Sequence, residues 1–367
     1  EHLFDHVRDR HMDALINTLA VAFALIVLLG ILAVANLAER QPWARLATPL
    51  LVFGVNGLIV FNGLATFMLA GGGAVPSALL EDYGGSMPTI AEARGALIVS
   101  LLTGGIASVL LIPEVRRRIA PIISPAFNPA STMHMIGLVL SVYLVGLTAL
   151  QFALAGDLTE LASEIGQTPV LEEAVLQAAF LYIVSAMGVG FLQRRAWHQT
   201  LARLGLVWPT WQQAAVGVGL GLALVAFQFG VLFAWVLLAG EEAFAAQTQA
   251  ADALTGEFDT LSSAFLISFT SSTSEEIAFR GALQPGLGVG LTSVVFALSH
   301  IQYALTPATL VILVLAVALG LLRERTNTTT AILCHFVYNF TGLSVAILAQ
   351  ELLEKLQRLL EAPGGVL

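Results

Sequence analysis

Two adjacent glutamates, Glu275 and Glu276, and an arginine, Arg280, stand in an apolar stretch that opens with Phe265-Leu-Ile-Ser-Phe269. A charge at bilayer depth costs at least about 2.5–3.5 kcal/mol, so its presence points to function by default. On a helix Glu276 and Arg280 lie i, i+4 and can pair along one face. Glu275 projects about 100° away from Glu276 and has no such partner on its own helix, which leaves it available for chemistry. Two later apolar runs carry polar groups of the same kind, Phe296-Ala-Leu-Ser-His300 and His335-Phe-Val-Tyr-Asn339. His335 and Asn339 share a helix face, as do Phe296 and His300. Buried polar side chains need partners, and across three consecutive membrane segments the nearest candidates are one another.

These residue types define a hydrolytic apparatus. A carboxylate in a low dielectric is a stronger general base once ionised. His300 can share a water with Glu275, and the pair can drive that water against a carbonyl. His335 and Asn339 supply donors on one face for the oxyanion that results. The implied reaction is hydrolysis of an amide or ester in a water-accessible cavity of the membrane. A metal arrangement remains open beside it: two histidines and one carboxylate make a catalytic zinc set, here Glu275, His300 and His335. The compact His-Glu-x-x-His helix of metalloproteases is absent from the sequence. The single cysteine, Cys334, excludes an intrachain disulfide and a multi-cysteine zinc site. It adjoins His335, but neighbouring helical residues point about 100° apart, which makes it a packing residue. His2, His6 and His11 lie in a polar amphipathic lead-in with no metal-like spacing.

The elements that must position these groups are membrane helices. The chain is 57% hydrophobic and 11% charged, and its mean hydropathy is +0.84. Soluble domains carry about 25% charged residues. The fold class is therefore all-α and polytopic, a helical bundle of about ten transmembrane segments. The apolar runs place spans at Ala14–Leu37, Leu46–Leu69, Gly95–Pro113, His134–Leu154, Ala174–Phe191 and Ala214–Leu238. Leu261–Leu283 holds the paired glutamates, and the short segment Val289–Ile301 need only reach mid-membrane or pack within the protein. Ala308–Leu322 and Thr329–Leu348 complete the set. Residues 196–213 read as a surface segment, with Trp197, Trp208 and Trp211 suited to the headgroup layer. The tail after Gln350 has an amphipathic pattern fit for the membrane surface.

A net charge of −9 says little about partners, because placement decides. If the spans alternate, the loops around 40–45, 116–118, 194–203 and 323–325 fall on one side and hold ten of the 16 Lys and Arg residues. By the positive-inside rule that side is cytoplasmic. Both termini then face away from the cytoplasm. The first apolar run is too long for a cleavable leader and continues into further spans.

Glu275-Glu276-x-x-x-Arg280, Phe296-x-x-x-His300 and His335-x-x-x-Asn339, in this order on successive hydrophobic segments, resemble the three motifs of the CPBP family. That family comprises the CAAX prenyl proteases of the Ras-converting-enzyme type and their bacteriocin-processing and self-immunity relatives. Phe-Arg-Gly-Ala-Leu-Gln-Pro after the double Glu and Leu-Gly-Leu-Leu-Arg-Glu-Arg-Thr before the third motif agree with it. The resemblance covers roughly 170–349 and implies a helical intramembrane protease with its site open to the cytoplasmic side. It implies that Glu275 activates water with His300, that His335 and Asn339 hold the oxyanion, and that Glu276 and Arg280 brace the site. No cofactor is required on that account; zinc is the alternative, held by Glu275, His300 and His335. Substrates would be membrane-anchored or hydrophobic peptides, prenylated or not, and nucleic acid is no partner. The composition and the lack of organelle targeting suggest a bacterial inner membrane.

The organisation expected is an N-terminal membrane module of about four spans over 1–165, a protease domain of about six spans over 166–349, and an amphipathic tail over 350–367. The first module carries no recognisable catalytic residues and suits docking of a membrane partner or regulation. Two other classes of function compete with the enzyme. A transporter would relay protons through Glu275, His300 and His335, yet transporters show paired broken helices in two related halves. An accessory or immunity subunit would bind a membrane partner and leave the site idle.

Overall fold

The computed structural model describes residues 22–71, 88–155, 170–239, 260–300 and 307–361. The terminal histidines and most of the three long acidic loops lie outside these residues. The regular structure of the described residues is helical, apart from one isolated bridge between Phe191 and Arg195. In chain order the helices are α1 (Ala22–Leu37), α2 (Pro42–Ala70), α3 (Ile90–Val109), α4 (Pro113–Ile123), α5 (Thr132–Ala155) and α6 (Val170–Gly188). There follow α7 (Trp197–Arg203), α8 (Trp211–Ala239), α9 (Leu261–Glu276), a π-helical segment (Ile277–Leu283), α10 (Gln284–Leu298), α11 (Pro307–Arg325) and α12 (Thr328–Glu361). Among the described residues, 8 helical runs are long and apolar enough to cross a membrane, and α1 is a shorter apolar helix.

This is an all-α polytopic membrane bundle whose apolar helices overlap the runs the sequence places, residues 14–21 of the first run lying outside the described residues. The segments 261–283 and 289–301 remain two, joined end to end through the π turn in a helical path of 38 residues, Leu261–Leu298. The path changes direction at Gly288, whose φ of 75° and ψ of 169° belong to a region open essentially to glycine. A Cβ there would meet the Ser124 side chain at 2.9 Å. The helix that carries the last span does not stop near Leu348: α12 continues unbroken from Thr328 to Glu361, so the amphipathic tail extends the same helix.

Two hydrophobic clusters organise the helices. One joins α1, α2, α3 and α5 through residues such as Leu32, Val52, Ala107 and Val139. The other joins α8, the π segment, α10, α11 and α12 through Leu224, Phe279, Phe296, Leu319 and Cys334. Leu283 and Leu291 pack against both, so the π segment and α10 sit at the seam. Interhelical polar contacts add to the first cluster, since apolar burial gives no net drive between helices in lipid. The Tyr143 hydroxyl donates to Asn56 Oδ1 at 2.6 Å, and Asn56 Nδ2 donates to Ser108 Oγ at 2.9 Å.

The arginine-rich turns gather at one end of the bundle. Arg194, after α6, pairs with Glu39, after α1. The Thr328 hydroxyl at the start of α12 donates to the Leu204 carbonyl at 2.6 Å, just after α7. Arg116 is buried rather than solvated: it donates to the Leu110, Leu111 and Pro129 carbonyls and so closes the C-terminal end of α3. Trp208 and Trp211, at the same end, are largely exposed.

Candidate active site

Helix α9 enters the site as a run of hydroxyl residues. Their side chains bond back to their own helix, Ser272 Oγ to the Ser268 carbonyl and Thr273 Oγ1 to the Phe269 carbonyl, both at 2.6 Å. This satisfies the hydroxyls without water. Beyond Glu276 the helix widens, and the Gln284 N–H reaches the Phe279 carbonyl five residues back. Pro285 supplies a local cause. It has no N–H, so the Gly281 carbonyl loses its ordinary helical donor. Arg203 on α7 fills the place, donating from Nη1 to the Gly281 carbonyl at 3.1 Å. Short π segments of this kind recur at functional sites, because one extra residue per turn re-aims the side chains around them.

The first consequence is a closed charge cluster. Glu276 and Arg280 are fully buried and lie 3.2 Å apart, Oε2 to Nε. Arg280 also donates to the Ala316 carbonyl at 3.1 Å, and its guanidinium carbon stands 4.5 Å from the centre of the Phe296 ring. The other carboxylate oxygen of Glu276 faces His335, with Oε1 3.1 Å from Nδ1. A carboxylate accepts, so an ionised Glu276 fixes His335 with its proton on Nδ1.

The second consequence is a separate, more accessible pair. His300 Nε2 and Glu275 Oε2 are 3.8 Å apart, with side chains 18% and 16% exposed. His300 Nδ1 lies 2.7 Å from the Phe296 carbonyl. A carbonyl can only accept, so Nδ1 carries the proton and Nε2 of the neutral ring is an acceptor. Glu275 Oε2 has no hydrogen-bond partner among the described residues. Two acceptors at this spacing do not bond each other, yet both can reach one water at about 2.8 Å.

Asn339, one turn beyond His335 on α12, donates from Nδ2 to Ser271 Oγ at 3.2 Å. Ser271 precedes Glu275 by four residues, on the same face of α9. The structure thus gathers all six sequence-marked residues around the end of α9 but divides them: Glu275 with His300, Glu276 with Arg280 and His335, Asn339 with Ser271. His335 turns its Nδ1 to Glu276, while Asn339 bonds Ser271. Cys334 is buried in the apolar core. Among the described residues, no three His, Cys, Asp or Glu side chains are grouped so as to hold a metal ion. Glu275, His300 and His335 in this arrangement therefore do not fit as a ligand set.

Sequence reasoning missed several participants. Phe296 reads there only as a spacer for His300, whereas its carbonyl sets the His300 tautomer and its ring lies over Arg280. Arg203 reads as a loop charge, whereas it closes the π segment. The signal was Pro285, four residues after Gly281.

The site is thus a pair of glutamates at a π turn, faced by one imidazole just beyond α10 and one on α12. Residues 257–341 match the family model for type II CAAX prenyl endopeptidases, Rce1-like. The resemblance to the CAAX protease family is thereby shown for this stretch, which includes Glu275, Glu276, Arg280, His300, His335 and Asn339. The stretch begins just before α9, and α1 to α8 lie outside it. No curated protein and no solved structure matches the chain.

Proposed function

We propose that the protein is an intramembrane endopeptidase that cleaves near the C-terminus of a membrane-anchored or hydrophobic peptide, prenylated or not. The observation that carries the reading is the Glu275–His300 pair: two acceptors 3.8 Å apart, one of them with its tautomer set by a backbone carbonyl. A water between them donates one hydrogen to Glu275 Oε2 and the other to His300 Nε2. Its free lone pair then points away from both groups, toward a substrate carbonyl carbon. On attack Glu275 takes the proton, and the carbonyl oxygen becomes an oxyanion. Asn339 keeps a second amide hydrogen beyond the one given to Ser271, and this hydrogen meets the oxyanion. Glu275 then returns its proton to the leaving amine, which completes hydrolysis.

His335 has a more constrained part. With Glu276 ionised its proton lies on Nδ1, and Nε2 then accepts rather than donates. It donates to an oxyanion only when the Glu276–His335 pair holds one further proton. Otherwise it positions Glu276, and through it Arg280. No step runs through a metal.

The arginine-rich end is the cytoplasmic side of a bacterial inner membrane in this reading, following the positive-inside rule. Residues 1–165 serve in this reading as a module for docking a membrane partner or for regulation. The test uses purified protein in proteoliposomes with farnesylated and unmodified peptides, products being identified by mass. Cleavage by wild type and its loss in Glu275→Ala is the expected result. Equal cleavage by both would overturn the reading.

A further inference from the structure

A large apolar space lies away from the candidate active site. A cavity of about 830 Å³ lies between the N-terminal helices and the far side of the π segment. Its walls include Val27 and Ile31 of α1, Leu140 and Leu144 of α5, Val184 of α6 and Phe279 of the π segment. Glu275, His300, His335 and Asn339 do not line it. Sites for drug-sized ligands span about 300–1,000 Å³, so this one has room for a substantial apolar ligand.

One end of the cavity is cationic. Arg194, Arg195 and Arg203 line it, and Glu39 is the one carboxylate among the lining residues described. Arg194 pairs with Glu39, but its side chain is only 14% exposed and its Nε is buried without a hydrogen-bond partner. Arg195 donates to the Val189 carbonyl and Arg203 to the Gly281 carbonyl, both neutral acceptors. Burial pushes the Arg203 guanidinium below its usual range, and the neighbouring Arg195, Arg323 and Arg194 push it the same way. Three guanidiniums against one carboxylate at the edge of an apolar chamber leave cationic charge uncompensated. Half-buried cations of this kind call for an anion.

We propose that this cavity binds an anionic lipid, with its apolar chains between α1, α5, α6 and the π segment and its phosphate at Arg194, Arg195 and Arg203. The chamber accounts for the chains and the guanidiniums for the headgroup. The bound lipid sits against Phe279, whose ring packs edge-on to Phe296 at 5.0 Å. It therefore supports, from behind, the aromatic pair that holds Arg280 and His300. The inference stands on the cavity itself and does not depend on the proteolytic reading.

The test is binding by the full chain in neutral detergent, followed by native mass spectrometry. Four probes are compared: phosphatidylglycerol, phosphatidylcholine, diacylglycerol and inorganic phosphate. Phosphatidylglycerol should be retained and should raise the unfolding temperature, the other three far less. Arg194→Gln with Arg195→Gln should weaken phosphatidylglycerol binding roughly ten-fold or more. Arg203 is left in place because it closes the π segment. Leu140→Trp, which leaves the arginines untouched and fills the chamber, should weaken it as well. Equal retention of phosphatidylglycerol and phosphatidylcholine would overturn the proposal, as would undiminished binding in both variants. Inorganic phosphate bound as tightly as phosphatidylglycerol would show an anion site without a lipid and would overturn it too.

Discussion

Replacing Arg280 by methionine removes the cation from the buried cluster while keeping most of the side chain's apolar length. Glu276 is fully buried 3.2 Å from Arg280 and would be left with His335 as its remaining partner. Breaking a buried pair by deleting one member costs about 3–5 kcal/mol, because an uncompensated charge remains. The Ala316 carbonyl also loses a donor, worth about 1–3 kcal/mol if it finds no other. Arg280→Met should therefore destabilise by at least about 3 kcal/mol in reversible unfolding in mixed micelles. Glu276→Gln should cost nearly as much, leaving Arg280 uncompensated. The double variant should recover most of the loss, since both charges are gone and the amide still accepts from His335. A coupling of at least about 2 kcal/mol is expected between the two sites. A single Arg280→Met variant within about 1 kcal/mol of wild type, or additive losses in the cycle, would refute the buried pair.

Three further outcomes are expected. Asn339→Ala should lower the cleavage rate by about 10²–10³, the cost of one oxyanion donor, and less than Glu275→Ala; rates on a single peptide substrate check the order. Cleavage should survive exhaustive treatment with 1,10-phenanthroline, and inhibition reversed by added zinc would restore the metal arrangement. Gly288→Ala should destabilise the fold by about 1–3 kcal/mol, because its φ of 75° strains any L side chain and the new Cβ meets Ser124; micelle unfolding measures it.

The spans were legible because membrane helices declare themselves by length and hydropathy, and Glu276 and Arg280 by their i, i+4 spacing. The junction between 283 and 289 was harder to read. A π turn and a kink at Gly288 connect the two segments, and neither has a hydropathy signature. The helix runs on past Leu348 for a related reason: the change from apolar to amphipathic there alters the surroundings of α12 but not its backbone. Which carboxylate His335 meets could not be read from the sequence. Glu275 and Glu276 are adjacent and differ only in direction, and that direction is set by how α9 packs against α12. Arg203 and Arg116 looked like solvated loop charges because their carbonyl partners are assembled by tertiary contacts.

The central claim is that Glu275 and His300 act together on one water. Single-turnover cleavage of one hydrophobic peptide in proteoliposomes, by wild type, Glu275→Ala, His300→Ala and the double variant, tests it most directly. Each single variant should lose about 10²–10⁴ in rate, and the double should be no slower than the slower single, since residues acting as a unit are non-additive. Multiplicative losses in the double variant, or a Glu275→Ala rate equal to wild type, would contradict it.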